Sequence, residues 1–592
     1  MHTLFPRRHM LALALGTALA SAAPVLAQQQ VIADGDEQTP AAGDYATTEP
    51  VVPGDPAGHV FYAINGGSII PLGEVNLRTE GQGAAAARAE GAGSLIQLAG
   101  GSIITQGISA AGISAAGGGR VELSGTRIET HGRSSAGIAV ANGAVVATGV
   151  SVVTHGSGAH GIQLNQGAVE LRDSTIQVNG TSNAIHVQGG GTLRGERIRI
   201  EQNGGGHALW LATGADATLR DITIRGDAGG ADGVLVAQGS TAVFDGLDID
   251  LTHAQSGAGL SIGGSVEVRG GFVHARGDYA SAVSFATGGG GSLLLEGVDL
   301  SGHFGIGMTE GSELTLRNSQ LNSVSTGIDI NQRDGVATIS GSSITTQNGV
   351  GIQLIGDASL DVNGSRVTAD GASSQAISVL WGTAQVTNSE LRTLGLNGHA
   401  LYAEGAAGRS PVVSASQTDI LTEGAGAIGA IARLGGAVHL SDSSVRTTGV
   451  NSHGVLSGGR GEMTLTNTHV LTEGEGAWAA VINDNGRMGI DGGSLVSAQH
   501  GGIWVRSSRD PGLALSNGAV VSGGNGIALA LDSAVAGRFD VALDGGAQLH
   551  GDIVITPEDE DAGLVPQSEV HVRLADGALW QGSSDLVQTL AL

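Results

Sequence analysis

Two Arg-Gly-Asp triplets, Arg225-Gly226-Asp227 and Arg276-Gly277-Asp278, carry the most specific chemistry that the residue types suggest. Integrin-type receptors take such a triplet when a turn holds guanidinium and carboxylate apart, the carboxylate completing a metal site on the receptor. Both follow the same kind of segment, in ITIRGDAGG and VHARGDYAS, which predicts one shared corner of a repeating structure, two repeats apart. Glycine recurs throughout the chain, so only the flanking Arg and Asp need coincide. His160, His207, His399 and His453 each precede a small-apolar segment and invite a metal reading. Their spacing puts them about 10 Å apart in pairs, too far for ligands about 2 Å from one ion. Corner residues are therefore expected, with no metal and no cofactor. Asp221, Asp248, Asp250 and Asp299 are candidate acids and bases, which need separations of about 5–10 Å. Their registers drift, no arginine recurs with them, and Asp329 is expected to meet Gln353. Trp210, Trp381, Trp478 and Trp504 lie in or beside small-apolar segments, where corner or core filling is expected before a sugar platform.

Composition removes whole classes of chemistry. The 592 residues contain no cysteine, and all 28 basic residues are arginine. That excludes disulfides, thiol nucleophiles, a P-loop lysine and Schiff bases. Fifty-five acidic residues leave a formal charge of -27, which disfavours nucleic acid and anionic membranes as partners. Glycine numbers 102 without a three-residue period, so the chain is not collagen. A hydrophobic share of 41% argues against disorder, although aromatics reach only 3%.

Residues 1–27 read as a secretory signal peptide. Arg7, Arg8 and His9 form the basic start, Met10 to Ala20 the apolar run, and Val25-Leu26-Ala27 the exit. The paired arginines also leave a twin-arginine route open. Residues 28–58, broken by Pro40, Pro50, Pro53 and Pro56, are expected to be a flexible polar lead-in.

The elements that must position these residues come from one repeat. A strand ending in a small or β-branched residue is often followed by x-Gly, as in TRIETHG, SRVTADG, TDILTEG and THVLTEG. Its end recurs from residue 79 to residue 522 with a mean period of about 24.6 residues. Each period also holds a small-apolar strand such as Gly137-Ile138-Ala139-Val140 and an alternating strand such as Val121-Glu122-Leu123. The predicted fold is all-β: a right-handed parallel β-helix of about 19 or more coils, with 24–25 residues and three short strands per coil. Asp173, Asn318, Gly341, Gly364, Asn388 and Asn467 are expected at a sharp corner in the left-handed conformation. The helix is expected over 59–537, followed over 538–592 by looser β-coils with an acidic loop at Glu558, Asp559, Glu560 and Asp561.

With GGAQLHGDIV and GALWQGSSDLVQTLAL near the C-terminal end, the chain resembles the passenger domain of pertactin-like autotransporters. The resemblance covers roughly 59–592, is most specific in this terminal segment, and lacks the family's C-terminal translocator barrel. It implies export, surface display and roles in adhesion or virulence. The expected protein is then a monomeric, non-enzymatic adhesin that meets a host-cell receptor or matrix protein of integrin type. Its expected place is the cell surface or the extracellular space, or the periplasm without a translocator. A polysaccharide-degrading β-helix enzyme and an immune-evasion surface without a defined ligand are the alternatives.

Overall fold

The computed structural model describes residues 29–52, 57–227, 231–252, 256–331, 333–406, 408–509, 511–564 and 567–592. The segment 1–27, expected to be a signal peptide, lies outside them. The described chain is a parallel β-solenoid of about 19 turns with almost no helix. Each coil runs through a small-apolar strand such as Ile113–Ala116, an alternating strand such as Arg120–Ser124, and a repeat strand such as Arg127–Thr130. We call the three resulting walls the small-apolar, alternating and repeat faces. Every strand pairs in parallel with its copies one coil away, so each face is a continuous sheet. Alternation sends every second side chain inward. Inward residues of the repeat face therefore stack in register, from Ile128 through Val152, Ile176, Ile200, Ile224 and Ile249 to Val273. Those positions are at most 2% exposed.

The threonine that ends the repeat strand is buried and makes the turn. Thr105, Thr130 and Thr154 donate from Oγ1 to the carbonyls of Ala110, Ser135 and Ala159 at 2.8, 2.7 and 3.0 Å. The glycine two residues on is required by close approach. A Cβ at Gly132 would lie 1.8 Å from the Gly107 carbonyl oxygen, and one at Gly156 would lie 1.9 Å from that of Gly132. A different corner needs the left-handed region: φ is 49° at Asp173, 47° at Asn318, 50° at Asn388 and 49° at Asn467. Gly341 and Gly364 adopt 57° and 56° at the same corner, as expected for these types.

Three expectations are corrected at the ends of the rod. Within 28–58, the strands Val31–Asp34, Glu37–Gln38 and Gly43–Thr47 pair with Phe61–Ile64, Ser68–Ile69 and Val75–Thr79. The segment expected to be a lead-in is therefore a coil, with Tyr45 2% exposed in the core. Its prolines misled because Pro40 and Pro50 occupy connections outside the strands, where a missing N–H breaks no ladder. The sheet also runs unbroken across 537, inside the strand Ala536–Leu543, which pairs with Gln567–Leu574. Finally, Pro557–Asp561 is a short helical turn, not an open loop, and Asp559 accepts the Ser533 N–H at 2.6 Å.

Candidate functional site

The two triplets share a corner but not a conformation. Arg225-Gly226-Asp227 closes the strand Asp216–Asp227 and is still paired, Arg225 with Asp250 and Asp227 with Thr252. Arg276 ends the strand Ser265–Arg276, and Gly277-Asp278 forms the bend before Tyr279–Phe285. Thr252 also pairs with Arg276, so the two triplets lie two coils apart and two residues out of register. The Arg276 guanidinium reaches back to Asp250 at 3.1 Å. Beside it, Tyr279 is 65% exposed and Phe304 36%, with the His303 ring between them at centroid distances of 6.0 and 4.8 Å. A bend carrying both charges next to two exposed aromatic rings was not anticipated in the sequence. Tyr279 directly follows the triplet, but the approach of His303 to it from the next coil depends on register.

The four corner histidines behave as braces. His399 Nδ1 accepts the N–H of Ile428 at 3.1 Å, His453 Nδ1 that of Trp478 at 3.1 Å, and His207 Nδ1 that of Asp232 at 3.0 Å. His160 Nδ1 meets the Ser182 hydroxyl at 2.8 Å, and His59, one more of the set, accepts from Ala85 at 2.9 Å. Burial, aided by Arg433, lowers His399 to about 4, and burial, aided by Arg506 and His500, does the same to His453. A buried neutral imidazole is what an acceptor role requires.

The candidate carboxylates do not pair with one another. Asp248 has Thr223 and Phe272 as neighbours, Asp250 has Arg225 and His274, and Asp299 has Phe272 and Gln320. Asp221 sits at a left-handed corner with φ of 53°. Asp329 does meet Gln353, with Gly307 on its other side, and burial raises its pKa. No second carboxylate flanks it in the register.

The tryptophans fill the outer side of the small-apolar face. Trp478 is 3% exposed and forms a separate cluster with Val481 and Ala530, against which Trp504 packs. The Trp504 indole donates to Asp532 at 2.6 Å and lies under Arg506. Trp210 stacks on His186 at 4.4 Å, and Arg409 covers Trp381. Farther along the same face, a concavity of about 550 Å³ is lined by His399, Tyr402, Glu404, Ile431, Arg433 and Leu456. There Tyr402 donates to Glu404, and its hydroxyl is pushed up to about 12, chiefly by burial.

Residues 207–367 match the family described as right handed beta helix region. The BrkA autotransporter of Bordetella pertussis (strain Tohama I / ATCC BAA-589 / NCTC 13251) is 29% identical over 452 residues, or 69% of this chain. The β-solenoid is thus similar to a pertactin-like autotransporter passenger. The chain spans 42% of the length of that relative. Among solved structures, the Vag8–C1 inhibitor complex matches over 88% of this chain and 95% of that one, at 19% identity and a TM-score of 0.31. No described helix is long and apolar enough to cross a membrane, which says nothing of a β-barrel.

Proposed function

We propose that the passenger is an exported, surface-displayed and non-enzymatic rod that attaches to host protein through the corner at Arg276-Gly277-Asp278. The observation that supports this reading is the grouping of that exposed bend with Tyr279 and Phe304, which are the exposed large aromatic side chains among the described residues. Tyrosine and arginine dominate the energetically important centres of protein interfaces. The bend at Gly277-Asp278 lies outside the ladder, which supports this triplet over Arg225-Gly226-Asp227, held in a sheet and the secondary candidate.

The test is attachment of host cells, or binding of purified integrin-type receptor, to immobilised full chain. Asp278→Glu lengthens the carboxylate arm by one methylene without removing charge, and Tyr279→Ala removes the adjacent ring. Each is expected to lower binding at least tenfold, while Asp227→Glu has a smaller effect. Attachment unchanged in Asp278→Glu and Tyr279→Ala would overturn the assignment of this corner.

A further inference from the structure

On the repeat face near the start of the rod, Glu129, His131 and His155 bring three ligand atoms within 4.8 Å of one another. His131 follows the strand Arg127–Thr130, and His155 follows Ser151–Thr154 one coil on, so the two histidines occupy the same coil position. The backbone fixes this alignment, because the His131 N–H donates to Thr105 and the His155 N–H donates to Thr130, both at 2.9 Å. The rings stack with centroids 4.8 Å apart and planes 6° from parallel. Both Nε2 atoms lie 3.2 Å from the same oxygen, Oε1 of Glu129.

We propose that Glu129, His131 and His155 form a Zn²⁺ site bridging two coils. Ligands about 2.0–2.1 Å from a tetrahedral zinc stand about 3.3 Å from one another, close to the separation of Oε1 from each imidazole nitrogen. Binding would rotate the rings about χ2 out of their parallel stack, so that both nitrogen lone pairs meet at one ion. Two imidazoles and a carboxylate are the donor set that borderline divalent metals take, and the exposed position leaves a fourth place for water. Arg127 holds the other carboxylate oxygen, Oε2, at 3.0 Å, which aims Oε1 at the histidines. The Asn179 side-chain amide lies 3.4 Å from His155 Nδ1. Its Oδ1 accepts from the Gln177 and Asn203 side-chain amides at 3.0 Å each, which anchors the Asn179 amide beside the His155 ring. The sequence does carry a signal for the pair: two Thr-His-Gly runs, Thr130-His131-Gly132 and Thr154-His155-Gly156, one coil apart.

The experiment is calorimetric titration of the full chain with Zn²⁺ alone, repeated on Glu129→Gln, on the His131→Ala/His155→Ala double variant, and on His439→Ala as a control. The expected result is one equivalent bound with micromolar affinity. Affinity should fall at least tenfold in Glu129→Gln and be lost in the double variant, with His439→Ala unchanged. All four side chains are on the outside of the rod, and unchanged circular dichroism and melting confirm folding of each variant. No zinc binding by the unaltered chain, or binding that survives the double substitution, overturns the site.

Discussion

The corner histidines give the rod a defined response to acid. In the folded state the corner residues His59, His399 and His453, and His186 within the strand Ile185–Gln188, are held near 4, with burial as the leading cause in each. In the unfolded chain they titrate near the ordinary value of about 6.5. The unfolded state therefore binds more protons below that value, and stability rises with pH across the interval. Stability is expected to be complete above about pH 6.5 and to be lost progressively as pH falls towards 4. Urea midpoints measured from pH 7.5 to 4 would show this slope. Asparagine is the natural non-titrating equivalent, since Asn183 accepts the N–H of His207 at 2.9 Å from the same corner. His399→Asn combined with His453→Asn should flatten the slope while keeping most of the stability at pH 7.5. A slope unaltered by both substitutions would place the acid sensitivity elsewhere, for instance in His59 and His186.

At the scale of the coil, the repeated threonine and glycine have separable roles. Thr130→Val keeps the shape but strands the Ser135 carbonyl in a buried turn, an effect of about 1–3 kcal/mol. Faster amide exchange is expected around 131–136, with the central strands of distant coils unaffected. Gly132→Ala should be far more damaging than Gly125→Ala, because only the former drives a Cβ into backbone. Gly125 has φ of 65° and nothing within 4 Å of where a methyl group would stand, so its cost is conformational strain alone. Comparable losses at both glycines would refute the close-approach account. These same residues explain what could be read from sequence. The Thr-x-Gly ends and the Asn, Asp and Gly corners are demanded by the backbone at the same place in every coil, so they recur at nearly fixed intervals and reveal the coil. Partners across coils are not local. The carboxylate reach of Glu129 to two rings and the meeting of Tyr279 with His303 both depend on one-residue details of register. The first coil stayed hidden because its connections differ: Thr47 donates to Gly58 at 2.6 Å, eleven residues on, instead of closing the usual short turn.

Across the whole molecule, one hydrophobic core extends from Ala33 to Val572. Each coil contacts its immediate neighbours, so stability accumulates by nearest-neighbour terms and not by a single central packing event. Outside that core, Trp478, Val481 and Ala530 form a second cluster on the small-apolar face. The helical turn Pro557–Asp561 ties back to the same region through Asp559 and the Ser533 N–H. The C-terminal coils are thus reinforced from the outside as well as the inside.

The parallel pairing of every strand with its copy one coil along has a mechanical consequence. The inter-coil hydrogen bonds lie along the rod axis, so tension applied to the two ends loads them one coil at a time instead of shearing a whole sheet at once. Stretching a single molecule should give a train of low-force steps. Each would lengthen the tether by roughly 80 Å, the span of about 24 extended residues less one coil rise. A single high-force rupture of the whole rod would contradict it. A cell held by such a rod would be moored by a tether that pays out under load and rewinds when the load falls.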